Sequence, residues 1–352
     1  MKRRRRTLIL TGVVVVGLAL LPAVRNRISA AATLLEAFGV SVPRPFAPNV
    51  KPETAEIGGV MGRLYTLGDH PAILVVPGAT PEGVDDARVN ALARALARAG
   101  RTVFIPELDL YRAQFTKADL ERIVEAVGGL AEKTGRPVAV LGISYGGSFA
   151  LVAAADPRME GRLSRVATLG AYYDLEGVIQ AVTTGGSTVD DRFIPWDGHP
   201  IAEDVLAART AELLPEEEQK SFLASLDGRL DPEHLPAGAR ALHDLLTNDD
   251  PWRTSELVER LSPPLRSLIE GFSPSQVADQ ITVPVLAMHS TDDPLVPYAE
   301  LIRLEAGMPQ AEVSTVRLFR HVDFDPSSPS GWWTLAPDLW KVWHLTTWIL
   351  VG

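Results

Sequence analysis

At 352 residues the chain is long enough for one large core or two domains. A net charge of −10 argues against a nucleic-acid partner. With no cysteine, disulfides, thiolate catalysis and cysteine-bound metals are excluded, although this says little about compartment.

The run Met1-Lys2-Arg3-Arg4-Arg5-Arg6 is strongly basic, and Thr7 to Val24 follow as 18 residues without a charge. That length sits at the lower edge for a membrane-spanning helix and the upper edge for the apolar part of an export signal. Only Arg25 and Arg27 follow closely, so the charge excess leaves the N-terminus on the cytoplasmic side. The expectation is an uncleaved signal anchor over residues 1–27, a transmembrane helix tying the protein to a membrane. A cleaved signal, cut near Ala30-Ala31-Ala32, is the alternative. Either reading places the body of the protein outside the cytoplasm. Residues 28–54 form a linker in which Pro43, Pro45, Pro48 and Pro52 interrupt any helix.

Val60 to Leu67 alternates in part and predicts a strand. Ala72 to Val76 is a continuous apolar run, suited to a strand buried on both faces of a parallel sheet. Asp85 to Gly100 predicts an amphipathic helix with Val89, Leu92, Leu96 and Ala99 on one stripe and Gly100 closing it. Thr102 to Pro106 is the next strand, and Lys117 to Lys133 the next helix, with Leu120, Ile123, Val127 and Leu130 at helical spacing. Val138 to Leu141 and Arg165 to Gly170 are further strands, separated by the helix-forming run Ala150 to Ala155. Strands alternating with helices imply an α/β fold with a mostly parallel sheet flanked by helices, its first part spanning residues 55–174.

From residue 175 to 275 strand-like runs disappear. Helices are expected over Ile201–Leu214, Glu217–Leu226, Ala237–Leu246 and Thr254–Gly271, the last broken at Pro263-Pro264. The sheet resumes over residues 276–352, with a strand at Val283–His289, a helix at Tyr298–Ala306, a strand at Val313–Phe319 and a closing helix near Pro337–Val351. Five of the seven tryptophans fall between Trp332 and Trp348. They read either as a membrane-interface patch of Trp340, Trp343 and Trp348 or, preferably, as the final helix packing on the sheet.

The chemistry centres on Gly142-Ile143-Ser144-Tyr145-Gly146-Gly147, where an apolar strand passes straight into a helix. A serine on such a turn has its Oγ thrust clear of the backbone, and the glycines leave room for helix and strand to approach. The bland alternative is a serine that merely caps the helix. Gly-x-Ser-x-Gly between strand and helix is the nucleophile elbow of the α/β-hydrolases, and this sequence resembles that superfamily. The resemblance covers about residues 55–352 in architecture and implies an α/β-hydrolase fold with a helical lid, residues 175–275, inserted after the sixth strand.

It also implies a chain order of nucleophile, acid, base. Serine needs a base to act as a nucleophile at neutral pH, and the imidazole needs a carboxylate to fix its tautomer. His289-Ser290-Thr291-Asp292-Asp293-Pro294-Leu295-Val296-Pro297 looks like the family's acid loop. By that pattern the acid is Asp293, with Asp292 as runner-up and Asp174 as a remoter candidate. His321, after the last strand, is where the family's base lies. For the oxyanion, the backbone amides of Tyr145 and Ala79 are the implied donors, and the Thr80 hydroxyl could add a third. Pro77-Gly78 stands where many relatives have His-Gly, and His-Gly-Gly-Gly is absent. The remaining histidines have no spacing that suggests a metal, and His289 reads as structural.

The expected activity is cleavage of a small-molecule carboxylic ester through an acyl-enzyme, with no metal or organic cofactor. Leu, Val and Ala in the lid point to a moderately apolar acid. An acyltransferase using the same triad and a non-catalytic binding protein on the same fold are the rival classes.

Overall fold

The computed structural model describes residues 50–67, 70–317, 319–321, 323–324 and 332–351. The chain runs first through β1 (Glu53–Ile57), β2 (Val60–Tyr65), β3 (Ala72–Val76), α1 (Ala87–Arg98), β4 (Thr102–Pro106), α2 (Lys117–Thr134), β5 (Val138–Ile143), α3 (Tyr145–Ala154) and β6 (Leu163–Leu169). Between β6 and the next sheet strand lie α4 (Leu175–Thr184), β7 (Gly186–Val189), β8 (Arg192–Pro195), α5 (Ile201–Ala211), α6 (Glu216–Leu226), α7 (Ala237–Leu246), α8 (Thr254–Glu259) and α9 (Pro263–Gly271). The chain then returns through β9 (Val285–Ser290), α10 (Ala299–Gly307), β10 (Glu312–Val316) and α11 (Trp332–Leu350).

Eight of these strands form one sheet in the order β1-β2-β4-β3-β5-β6-β9-β10. β2 runs antiparallel to β1 and β4, and every other pairing is parallel. The pattern follows from composition. All five residues of β3 are buried, as are Val138 to Gly142 of β5, because central parallel strands are covered on both faces. Crossover helices supply the cover. α1 starts at Asp86, whose carboxylate accepts the Arg88 and Val89 amides at 2.8 and 3.2 Å. α2 is closed by Gly135 in the left-handed conformation.

The structure departs from the sequence reading in three places. The segment after β6 is helical as expected, with the break at Pro263 separating α8 from α9, but it also holds the β7–β8 hairpin. Four-residue strands are too short to carry a period, and their turn depends on Asp190 and Asp191 both adopting positive φ. β1 begins inside the expected linker, paired with β2 from Glu53 onward. The third correction concerns the membrane. Among the described residues no helix is long and apolar enough to cross one, and the stretch read as a transmembrane anchor, residues 7–24, lies outside the described residues. The membrane reading is therefore set aside.

α11 packs on the sheet through Val342, Leu345, Ile349 and Leu350, all buried, while Trp340 is exposed. Arg165 of β6 holds it from below, donating to the Trp348 carbonyl at 2.6 Å with its guanidinium 4.8 Å from the Trp348 ring.

One buried ionic cluster braces the start of the segment after β6. Glu300 of α10 is fully buried and accepts the amides of Tyr173 and Asp174 at 3.0 and 2.7 Å. Burial pushes its carboxyl up, opposed by the positive charge of Arg303. Arg303 in turn donates to the Thr188 carbonyl at 2.9 Å and to Gln180 at 3.1 Å. Glu300→Ala takes the carboxylate from the half-buried Arg303 and strands two amides, so it is expected to lower stability by about 3 kcal/mol, read from urea unfolding.

Candidate active site

The site is built at the carboxyl ends of β3, β5, β9 and β10, the edge of an open α/β sheet where ligands bind. Ser144 joins β5 to α3 with φ 53° and ψ −136°, a conformation that L residues rarely adopt. It occupies the N-cap position of α3, yet its side chain makes no capping hydrogen bond. The bland reading of a helix-capping serine therefore fails. The turn is as tight as the glycines imply. A Cβ on Gly146 would fall 2.2 Å from the Val76 carbonyl oxygen, and one on Gly142 would fall 2.4 Å from the Gly147 Cα. Ser148, one turn into α3, locks the helix to the loop after β6 by accepting the Tyr172 amide at 2.9 Å and donating to its carbonyl at 2.8 Å.

Asp293 and His321 are brought together. His321 Nδ1 lies 2.9 and 2.8 Å from the two Asp293 carboxylate oxygens. Both residues are buried, His321 at the tip of a tight turn with φ 59°, between the two-residue strands β11 (Phe319–Arg320) and β12 (Asp323–Phe324). With Nδ1 donating to the carboxylate, Nε2 is the ring atom free to take a proton. The acid loop fixes the carboxylate further, because Asp293 Oδ1 accepts the Leu295 and Val296 amides, each at 2.9 Å. Burial alone would raise its pKa, but hydrogen bonds and charge from His289 and His321 hold it well below the usual carboxylate range.

The other acid candidates are occupied elsewhere. Asp292 is exposed, its amide 3.4 Å from the Ser290 hydroxyl. Asp174 caps α4 by accepting the Glu176 amide at 3.0 Å and takes a hydrogen bond from Ser275 at 3.2 Å.

The two small residues around the serine show why they are small. A Cβ on Gly78 would fall 2.6 Å from the Ser144 Cβ and 3.0 Å from its Oγ, so the loop after β3 lies directly against Ser144. Gly170, at φ 68°, lies against both Asp293 and His321. The Thr80 hydroxyl, expected as a possible third oxyanion donor, has other partners in this structure. It is engaged with carboxylates, Asp86 at 2.8 Å and Glu82 at 3.0 Å. Burial works against the Asp86 charge, but Arg88, Thr80 and the Val89 and Arg88 amides pull its pKa down to about 2.

Two contacts at the acid had no clear signal in the sequence. His289, fully buried on β9, donates from Nε2 to the Val296 carbonyl at 3.0 Å and lies 3.4 Å from Asp293 Oδ2. Trp196, just past β8, donates from its indole to the Asp293 main-chain carbonyl at 2.7 Å, and the His199 amide donates to the Pro294 carbonyl at 2.7 Å. Bonds spanning about a hundred residues leave no periodicity to read. No group of residues suited to holding a metal occurs among the described residues.

A family model described as the alpha/beta hydrolase fold matches residues 71–327, well over half of the chain. The chain belongs to the α/β-hydrolase family. No curated protein matches it by sequence. Among solved structures, this α/β-hydrolase is similar to a hormone-sensitive lipase from a metagenome library, at 15% identity and a TM-score of 0.49, over 98% of this chain and 97% of that one. It is similar to an acylaminoacyl peptidase from Pyrococcus horikoshii at 11% identity and a TM-score of 0.45, over 77% of this chain but 37% of the peptidase. A meta-cleavage product hydrolase from Pseudomonas fluorescens gives 15% identity and a TM-score of 0.44, over 86% of this chain and 97% of that one. Likenesses so distant say nothing of substrate.

Proposed function

We propose that this α/β-hydrolase is a serine hydrolase that cleaves carboxylic esters through an acyl-enzyme. The observation that carries the reading is the His321–Asp293 pair held at the same sheet edge as a strained serine whose hydroxyl makes no capping bond. Ser144 Oγ attacks the ester carbonyl while His321 Nε2 takes its proton. Asp293 holds the imidazole tautomer and stabilises the imidazolium. The amides of Tyr145 and Ala79, which have no backbone acceptor among the described residues, receive the oxyanion, each donor contributing about 3 kcal/mol to the transition state. His321 returns the proton to the leaving alcohol, and a water activated by the same nitrogen releases the acid. Residues 175–275, in this reading, are the lid.

The test is turnover of p-nitrophenyl acetate by the full-length protein, with product analysis in the presence of a short alcohol. Free acid as the main product supports the hydrolase. Transfer to the alcohol in preference to water would make the protein an acyltransferase, and absence of turnover would favour a binding protein.

A further inference from the structure

The segment between β6 and β9, together with Ala113 to Thr116 and with Tyr145, the residue after Ser144, lines a chamber of about 370 Å³. Its wall is mostly aliphatic, with Phe115 and Tyr145 as aromatic members and Gln114, Thr116, Arg209, Thr210 and Glu212 as polar ones. Val178 and Val182 of α4, Leu206 of α5, Leu245 of α7 and Leu268 of α9 all line it. Arg209 and Glu212 are the charged residues of that wall among the described residues, and they pair with each other at 2.6 Å. Thr210 turns its hydroxyl to the Leu206 carbonyl at 2.6 Å. No free charge remains in the wall to recognise an ionic group, so the surface offers a ligand apolar contact. Val205 and Leu213 belong to the wall yet are 37% and 45% exposed, so the chamber opens to solvent along an apolar rim.

Tyr145 ties the chamber to the reacting centre. Its ring is held edge-on by Phe115 and Tyr172, at 5.6 Å each. Burial and then the negative charge of Asp293 push its phenol up to about 12, so it stays neutral. The Tyr145 side chain lines the chamber, and in the proposed mechanism the amide of the same residue receives the oxyanion.

We infer that this chamber takes an unbranched aliphatic chain of the substrate, making the protein selective for esters with a medium-length alkyl group. The inference rests on the serine-hydrolase reading for its chemistry. If a methylene takes about the volume of one water, ~30 Å³, the chamber holds on the order of ten. Each methylene moved from water into it strengthens binding about fourfold until the space is filled.

The experiment uses the full-length protein with two ester series. In one the acyl chain of p-nitrophenyl esters runs from acetyl to hexadecanoyl; in the other the alcohol chain of acetate esters is lengthened in the same way. The expected result is a kcat/KM that rises about fourfold per methylene along one series and stops rising once the chamber is full. The series that rises identifies which half of the ester enters. Leu206→Trp, which adds bulk to the chamber wall, is expected to lower the ratio of octanoyl to acetyl turnover (or the matching alcohol ratio) at least tenfold. If that variant fails to fold, the wild-type series decide the matter. Labelling of Ser144 by a fluorophosphonate is scored beside them. Labelling with both series flat or falling overturns the chamber assignment and leaves the hydrolase standing. Absence of labelling and of all turnover overturns the hydrolase reading and this inference with it.

Discussion

Ser144→Ala is expected to lower kcat about 10⁶-fold on any ester the wild type turns over, because without Oγ no acyl-enzyme can form. Stability is expected to change little, since the hydroxyl makes no capping bond and both residues tolerate φ 53° equally badly. Ser144→Gly is the informative companion. Glycine adopts positive φ without the Cβ clash, so it should be equally inactive yet more stable by about 1 kcal/mol. Urea unfolding of the three proteins checks this. A gain in stability on losing the serine would mean that the turn is strained for the sake of where it puts the side chain.

Asp293→Asn is expected to cost about 10⁴-fold in kcat with little change in KM, because the amide can present an N–H to His321 Nδ1 and favour the wrong tautomer. The backbone contacts of the loop largely survive, since an amide oxygen still accepts the Leu295 and Val296 N–H groups. Asp292→Asn and Asp174→Asn are the controls. Asp292 is exposed, and Asp174 caps α4, so neither change should lower kcat more than a few-fold. Steady-state kinetics of the three variants separates them. A collapse in Asp292→Asn with normal Asp293→Asn would reassign the acid.

Much of this was legible in the sequence because two strong regularities coincided. β3 and β5 announce themselves as unbroken apolar runs, since a strand covered on both faces has no polar position to alternate with. The glycines at 142, 146 and 147 mark the elbow because at least Gly142 and Gly146 meet backbone where a Cβ would sit. The resemblance to the α/β-hydrolases pointed to Asp293 and His321, but their pairing is a property of two loops folding over the same edge. What stayed hidden is of a different kind. β7 and β8 are four residues each, and their left-handed turn at Asp190-Asp191 is not enforced by a glycine. The bonds from Trp196 and His199 to the acid loop join residues about a hundred positions apart. The Thr80 hydroxyl could have faced either the oxyanion or Asp86, and only the placement of α1 decides that it faces Asp86. The aliphatic wall of the chamber is drawn from four helices, α4, α5, α7 and α9, and loops between elements, none of which states the enclosed volume alone.

The measurement that tests the central claim most directly is the intact mass of the full-length protein after exposure to a fluorophosphonate. The account expects one adduct per chain, mapped to Ser144, absent from Ser144→Ala and slowed by orders of magnitude in His321→Ala. A folded wild type that gains no adduct would contradict the account, because a serine with a working base cannot stay inert to that reagent.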